Sequence, residues 1–285
     1  MPFATIHNKK LFYTDSHDST STSLPTALFL HGLGSSSCFY ASITPGLKDI
    51  VRCIALDYPG SGLSELGNSE EEEQSISTLA RDALTLLATL NITSITLIGH
   101  SIGGLLASYL ASTHPPHLTI TAIILLGPVD PSPSLPIIFR QRISTIKSHG
   151  LEPLADSIPT AATGSSSTAL QHAFIRALIL GTSERGYVSL CNVIASAERP
   201  EYGKVKVPVL VLVGEEDKTS SLESCEGVLR EYGTAGDVGG EGTGREDERL
   251  VVLRGVGHWH CVEDAEGVGR HVRGFLESVA STTAL

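Results

Sequence analysis

The sequence lacks an excess of basic residues. Its 285 residues include 20 Lys and Arg against 31 Asp and Glu, which gives a net charge of −11. A nucleic-acid-binding protein needs a basic face and a polybasic membrane anchor needs clustered cations, so this balance argues against both classes. The acid-rich stretches 70–73 and 237–248 together carry −8 of the charge. We interpret both stretches as features that favour solubility.

Long apolar runs and paired cysteine motifs are also missing, and we expect no export leader. No apolar stretch reaches the roughly 20 residues that a membrane-spanning helix needs. The first residues show no charged start followed by an apolar run, which a secretory signal would have. The five cysteines are scattered, with no CxxC spacing. We therefore expect free thiols and a cytoplasmic protein, monomeric or homodimeric, with no membrane partner.

What the sequence does contain is an alternation of short apolar segments and helical patterns. The apolar segments predict strands at 27–30, 51–57, 95–98, 122–126, 209–213 and 250–253. The helical patterns cover 75–91, 102–113 and 261–280, and a hairpin that turns at 8–10 is predicted for 3–13. Continuous rather than alternating hydrophobicity is typical of strands covered on both faces. The predicted class is α/β with a mostly parallel sheet.

The alternation is interrupted between residues 130 and 203. This segment opens with three prolines at 131, 133 and 136 and then shows helical patterns at 137–149, 151–158, 169–180 and 186–197. We expect a helical cap over 130–203, inserted between two parts of one core, 1–129 and 204–285. The cap has six acidic and six basic residues, so it is neutral.

A Gly-x-Ser-x-Gly motif follows the predicted strand 95–98. Gly99-His100-Ser101-Ile102-Gly103 stands between a strand and a helix, the context of a nucleophile elbow. Its glycines avoid side-chain clashes in a tight turn, and Ser101 is raised at the positive end of the helix. We therefore expect Ser101 to be a nucleophile.

A nucleophilic serine needs a base and an acid that orients the base. Asp217 follows the strand 209–213, and His258 follows the strand 250–253 in a glycine-flanked loop. The order Ser, Asp, His is the one expected on this scaffold, so these two residues are the predicted acid and base. Asp130, which follows another strand, is an alternative acid. His260 can line the site or face away, and the glutamates 215–216 are interpreted as loop surface.

The oxyanion that forms during acyl transfer needs two backbone donors. One is the N–H of Ile102, which follows the nucleophile, and the other should come from the glycine-rich loop His31-Gly32-Leu33-Gly34. We expect the N–H of Leu33 to be this second donor, with His31 bracing the loop. No cofactor is expected. A metal site is not expected either, because adjacent ligand types in 258–261 seldom converge on one ion.

These motifs together resemble the α/β-hydrolase superfamily. The matching segments are 31–34, 57–64, 99–103, 214–217 and 257–258, and Glu263 also fits the family pattern. The resemblance implies an α/β-hydrolase fold, with a mostly parallel eight-stranded sheet, helices on both faces and a helical cap. One departure is Ser61, where relatives usually carry His. A nucleophilic Ser rather than Asp argues against dehalogenase and epoxide-hydrolase chemistry.

The cap segments 142–158 and 186–194 are similar to cap helices of 3-oxoadipate enol-lactonases. This resemblance implies a serine hydrolase, a carboxylesterase or lactonase, that cleaves a small ester or lactone, including an enol-lactone of the 3-oxoadipate type. Four cap arginines are candidates for binding the carboxylate of such a substrate: Arg140, Arg142, Arg176 and Arg185. C–C bond hydrolysis, a lyase or cyclase reaction and a ligand receptor remain alternatives, because the scaffold is shared.

Overall fold

The computed structural model describes residues 2–16, 24–67, 73–233 and 250–283. Most of the two acid-rich stretches, 70–73 and 237–248, lies outside these residues, so their interpretation stays a prediction. All five cysteines are described and carry free thiols. Across the described ranges, no helix combines the length and the apolar character needed to cross a bilayer.

The predicted mostly parallel, eight-stranded sheet is confirmed. Its strands are β1 Phe3–Ile6, β2 Lys9–Asp15, β3 Thr26–Leu30, β4 Arg52–Leu56, β5 Ser94–His100, β6 Thr119–Leu126, β7 Val209–Gly214 and β8 Leu250–Leu253. Their order across the sheet is β1-β2-β4-β3-β5-β6-β7-β8. The β1–β2 and β2–β4 pairs are antiparallel, and the other pairs are parallel. The carboxyl ends of six parallel strands therefore meet at one edge of the sheet.

The antiparallel strands β1 and β2 form the predicted hairpin, but its turn comes earlier than expected. Ile6 pairs with Lys9, so the loop has two residues, His7 and Asn8. Both have positive φ angles, 45° and 59°. Two consecutive residues with positive φ are characteristic of a type I′ turn, whose twist matches that of the two flanking strands. Asn tolerates this conformation well.

The helices follow most of the predicted patterns. They are α1 Ile76–Thr89, α2 Ile102–Thr113, α3 Leu135–His149, α4 Glu152–Ala161, α5 Ala169–Leu180, α6 Glu184–Ser196, α7 Leu222–Glu231, α8 His260–Glu263 and α9 Ala265–Thr283. The prediction of one continuous helix over 261–280 is wrong, because the helix is interrupted at Asp264. The side chain of Asp264 accepts a hydrogen bond from the N–H of Gly267 and so caps α9. Helix α7 was not predicted.

Four helices, α3 to α6, lie between β6 and β7 in the chain. Helix α3 packs against α6 and α4, and α4 packs against α5. On the sheet itself, the five consecutive residues 122–126 of β6 are fully buried. Neighbouring residues of a strand point to opposite faces, so helices cover both faces of the sheet.

Candidate active site

Ser101 occupies a strained turn at the carboxyl end of β5. Strand β5 ends at His100, α2 begins at Ile102, and Ser101 has a φ angle of 56°. This left-handed conformation costs a non-glycine residue on the order of 1–3 kcal/mol and is typical of functional sites. A Cβ atom on Gly99 would collide with the carbonyl oxygen of Gly103, and a Cβ on Gly103 would collide with the backbone at the end of β3. Both flanking glycines are therefore required by packing.

Asp217 and His258, predicted from separate loops, lie side by side. The Nδ1 of His258 is 2.8 Å from Oδ2 of Asp217, and the other carboxylate oxygen accepts hydrogen bonds from the N–H groups of Thr219 and Ser220, each at 2.8 Å. The backbone N–H of His258 donates to the carbonyl of Ala162 at 2.8 Å. Both side chains are thus held in one orientation, with the proton on Nδ1 of the ring.

The electrostatics of Asp217 keep it ionised. Burial opposes the ionised form, but the attraction and hydrogen bond of His258 outweigh it and lower the pKa of Asp217 below its usual value. An ionised carboxylate fixes the tautomer of the ring and stabilises its protonated form.

Asp130, the alternative acid, has a different partner. Its two carboxylate oxygens accept hydrogen bonds from the guanidinium of Arg199 at 2.8 and 3.1 Å. Of the glutamates at 215–216, Glu215 accepts from the N–H of Gly255 and Glu216 from Ser165. The structure therefore brings Asp217, and none of these three acids, into contact with His258.

His31 braces the glycine-rich loop as expected. Its Nε2 accepts a hydrogen bond from the N–H of Tyr58 at 3.1 Å, and its Nδ1 lies 2.8 Å from the carbonyl of Gly32. The proton is therefore on Nδ1. Burial lowers the pKa of His31, so the ring stays neutral and joins the loops after β3 and β4.

Two further histidine rings surround His258. His100 donates from Nε2 to the carbonyl of His258 at 2.8 Å, and His260 accepts from the N–H of Gly214 at 3.2 Å. His260 also lies 3.8 Å from Asp217. Burial lowers the pKa of both rings, to about 4 for His260. Both are therefore neutral supports of the loop at neutral pH.

The two predicted oxyanion donors are free to bind a ligand. The N–H groups of Leu33 and Ile102 donate to no residue in the described ranges. The loop that carries Leu33 lies directly against the turn that carries Ser101, because a Cβ on Gly32 would be 2.6 Å from His100 and 3.2 Å from Cβ of Ser101. Close backbone approach of this kind needs glycine.

A cavity of about 440 Å³ joins these elements. Its walls include Leu33, Ser101 and His258 from the core, and Phe139 and Tyr187 from the helices between β6 and β7. Trp259 lines it as well. Ser101 Oγ forms no hydrogen bond with His258 in the described chain, and such bonds are often long before substrate binds.

The four candidate arginines lie in different surroundings. Arg142 lines the cavity that contains Ser101. Arg140 and Arg185 line a different cleft, and Arg176 pairs with Asp156 at 2.8 Å.

As for metals, a search of the described residues finds no cluster of three or more His, Cys, Asp or Glu that could hold an ion.

Glu263 ties the loop of His258 to the segment after α4. One carboxylate oxygen accepts from the N–H groups of Gly164 and Gly257 at 2.6 and 2.8 Å, and the other accepts from the N–H of Trp259 at 2.8 Å. Three backbone donors on one carboxylate hold His258, which lies between residues 257 and 259, in place.

We expect Glu263→Gln to lower the free energy of unfolding by about 1–3 kcal/mol, because the amide N–H₂ must face backbone donors that the carboxylate had satisfied. Urea unfolding followed by circular dichroism measures this loss. Glu266→Gln, an exposed change on α9, should leave the stability within about 0.5 kcal/mol. Equal stabilities of the two variants would contradict the role of Glu263.

Gly127 is a site residue that the sequence reasoning missed. It follows β6 with a φ of 48°, and a Cβ there would lie 2.7 Å from His260, 2.9 Å from Asp217 and 3.4 Å from His258. The available signal was a glycine at the carboxyl end of a strand between those that carry Ser101 and Asp217. Only glycine leaves space for the acid and the two rings.

Comparison with known proteins finds matches over most of the chain and over shorter segments. The model of the alpha/beta hydrolase family matches residues 27–270. The 3-oxoadipate enol-lactonase 2 of Acinetobacter baylyi is 26% identical over 221 residues, which is 72% of this chain and 78% of that protein. The magnesium-chelatase 30 kDa subunit of Rhodobacter capsulatus is 37% identical over 91 residues, 32% of this chain and 31% of that protein. The aligned segments therefore differ in extent, and for the first curated relatives the chain spans only about a third of each protein's length.

Among solved structures, the enol-lactonase of Burkholderia xenovorans superposes with a TM-score of 0.81. The superposition covers 97% of this chain and all of that one, at 22% sequence identity. At this identity the match establishes a shared fold. The arrangement of strands and helices is therefore common to the two proteins.

Proposed function

Because this chain belongs to the alpha/beta hydrolase family, we propose that it is a serine hydrolase that cleaves a small ester or lactone. The observation that carries the proposal is the contact between Asp217 and His258 at the wall of a cavity that also contains Ser101. The nucleophile, base and acid then come from the ends of three different strands, β5, β8 and β7. This placement follows the rule for open α/β sheets.

In the proposed acylation step, Nε2 of His258 removes the proton of Ser101 as Oγ attacks the substrate carbonyl carbon. The carbonyl electrons move to oxygen, and the N–H groups of Leu33 and Ile102 hold the resulting oxyanion. When the tetrahedral intermediate collapses, the bond to the leaving oxygen breaks and His258 returns the proton to that oxygen. In a lactone the leaving oxygen stays attached, so the ring opens.

In the deacylation step a water molecule replaces the leaving group. His258 removes one proton of the water, the hydroxide attacks the acyl carbon, and the same two amides hold the second oxyanion. Collapse of the intermediate releases a carboxylic acid and returns the proton to Oγ of Ser101. Throughout, Asp217 holds the ring by its Nδ1 and stabilises the cationic form.

The size of the cavity supports a small substrate. Its volume, about 440 Å³, lies towards the lower end of ligand pockets, which span roughly 300–1,000 Å³. We assign the segment 130–203 as the cap that encloses it. The narrower candidate is an enol-lactone of the 3-oxoadipate type, because the relative named for that reaction is similar over most of both chains. Ring opening would give an enol that becomes an oxo acid.

Two measurements test this proposal. A fluorophosphonate probe is expected to label the protein at Ser101, as peptide mass spectrometry would show, because the probe reacts with activated serines. The purified protein is also expected to hydrolyse p-nitrophenyl esters of short acids and the 3-oxoadipate enol-lactone. Failure to label Ser101 would favour the ligand-receptor alternative. Turnover of neutral esters without the lactone would retain the hydrolase and remove the narrow substrate.

A further inference from the structure

Arg142 projects from α3 into the cavity that contains Ser101 and His258. Its guanidinium lies over the ring of Phe139, 5.1 Å from the centroid. It also lies near the hydroxyl of Tyr187, where its charge counteracts the rise in pKa that burial causes in the phenol. Arg142 is therefore held by aromatic side chains on the cap wall of the cavity.

The position of Tyr187 connects this cation to the oxyanion loop. A Cβ on Gly34, next to Leu33, would lie 2.8 Å from the ring of Tyr187. The aromatic ring thus packs on the loop that carries an oxyanion donor, and Arg142 lies beside the hydroxyl of the same ring. Arg142 therefore lines the same cavity as the oxyanion loop and Ser101, not a remote surface.

No carboxylate neutralises Arg142 among the described residues. The other cation on the cavity wall, Lys218, is exposed. The one aspartate there, Asp130, is already held by Arg199 through two hydrogen bonds. The lining of the cavity therefore has an excess of positive charge, with a guanidinium that retains N–H donors for a ligand beside the one that faces Tyr187.

We propose that Arg142 forms a subsite for a carboxylate, so that the preferred substrates are small esters or lactones that carry a free carboxylate in addition to the scissile group. This inference rests on the proposed function and specifies its substrate class. A guanidinium binds a carboxylate through two parallel hydrogen bonds and thereby fixes its orientation. The scissile carbonyl is then placed relative to Ser101 by a group at the other end of the substrate.

The net charge of −11 does not oppose this assignment. Charges in water are screened beyond a Debye length of about 8 Å at physiological salt. The acid-rich stretches 70–73 and 237–248 account for −8 of the total, and the segment 130–203 that carries Arg142 is neutral. A small anion bound directly to Arg142 is attracted most strongly by this cation, because the interaction between charges weakens with distance.

A matched pair of esters tests the subsite. The p-nitrophenyl monoester of glutaric acid carries a free carboxylate, and its methyl ester has the same chain without the charge. We expect the wild-type protein to prefer the charged ester. Arg142→Met, which retains an unbranched side chain, should lower kcat/KM for the charged ester about 10- to 100-fold and change that for the neutral ester by less than about threefold. Arg142→Lys should retain part of the preference.

Arg176→Met is the matched control, because Arg176 lies on the same group of helices but pairs with Asp156 on the surface. It should leave the ratio of the two esters unchanged. Equal losses for both esters in Arg142→Met would show that Arg142 only supports the packing of the cap, and would overturn the subsite. A wild-type protein that does not distinguish the esters would overturn it as well.

A binding measurement separates this proposal from the proposed function. Glutarate is titrated calorimetrically into Ser101→Ala protein and into Ser101→Ala/Arg142→Met protein. The subsite predicts that the second protein binds about tenfold or more weakly. Loss of this difference rejects the carboxylate subsite even if esters are hydrolysed. Failure of the fluorophosphonate probe to label the wild-type protein rejects the hydrolase, whatever glutarate does.

Discussion

Replacement of Ser101 by alanine is expected to lower kcat for ester hydrolysis by about a million-fold, because the variant has no oxygen that can attack the carbonyl. The oxyanion donors and the cavity remain, so a residual acceleration of about 10³ to 10⁴ over water should persist. Single-turnover assays at high protein concentration measure the remaining rate. The measured rate must exceed the background hydrolysis of the p-nitrophenyl ester in the same buffer.

The fold should tolerate this change. The side chain of Ser101 makes no capping hydrogen bond to α2, and alanine adopts the φ of 56° at about the same steric cost as serine. The unfolding midpoint should therefore stay close to that of the wild type. Ser148→Ala, an exposed change on α3, is the control and should retain full activity. If Ser101→Ala keeps more than about one hundredth of the wild-type rate, the nucleophile is another group.

A double variant adds a second check on Ser101. Residues that act as one unit have non-additive effects, so Ser101→Ala/His258→Ala should be about as impaired as Ser101→Ala alone. Two independent contributions would instead multiply. The comparison therefore tests whether His258 acts through the serine oxygen.

The parallel sheet and the positions of the three proposed catalytic residues could be predicted from local sequence signals. Each inner strand contains a short, mostly apolar run, and the boundaries predicted for Leu250–Leu253 and Ile102–Thr113 match the structure. Ser101, Asp217 and His258 each follow such a run near a glycine or within a glycine-containing loop. Since the carboxyl ends of parallel strands share one edge, order along the chain was enough to predict that Asp217 and His258 meet.

Features that depend on distant packing were not accessible in this way. The contact between Glu263 and Gly164 spans 99 residues, and the crowding of Gly127 depends on three loops at once. Four arginines in one helical segment are equivalent in sequence, and only the packing of α3 on α6 places Arg142 in the cavity. The break at Asp264 was missed because its capping bond competes with a helical pattern on both sides.

The change with the second-largest expected effect is Asp217→Asn, which should lower kcat about ten-thousand-fold with little change in fold. An asparagine retains one oxygen that can accept from the N–H groups of Thr219 and Ser220. Its amide N–H₂ then faces His258, so Nδ1 of the ring must accept a hydrogen bond and the proton moves to Nε2. A ring protonated at Nε2 cannot take the proton of Ser101.

The alternative acid supplies the control for this experiment. Asp130→Asn weakens an ion pair with Arg199 in which the arginine is 40% exposed, so it should change kcat by less than about tenfold and stability by at most about 1 kcal/mol. A large loss in Asp130→Asn, with little effect in Asp217→Asn, would transfer the role to Asp130.

The pH dependence of the free energy of unfolding gives an independent test of the ionised state of Asp217. Because the pKa of Asp217 is lowered in the folded chain, its contribution is complete above the unfolded value of about 3.9 and is lost as the pH falls through the folded value. Thermal unfolding of Asp217→Asn should therefore depend less on acid than that of the wild type.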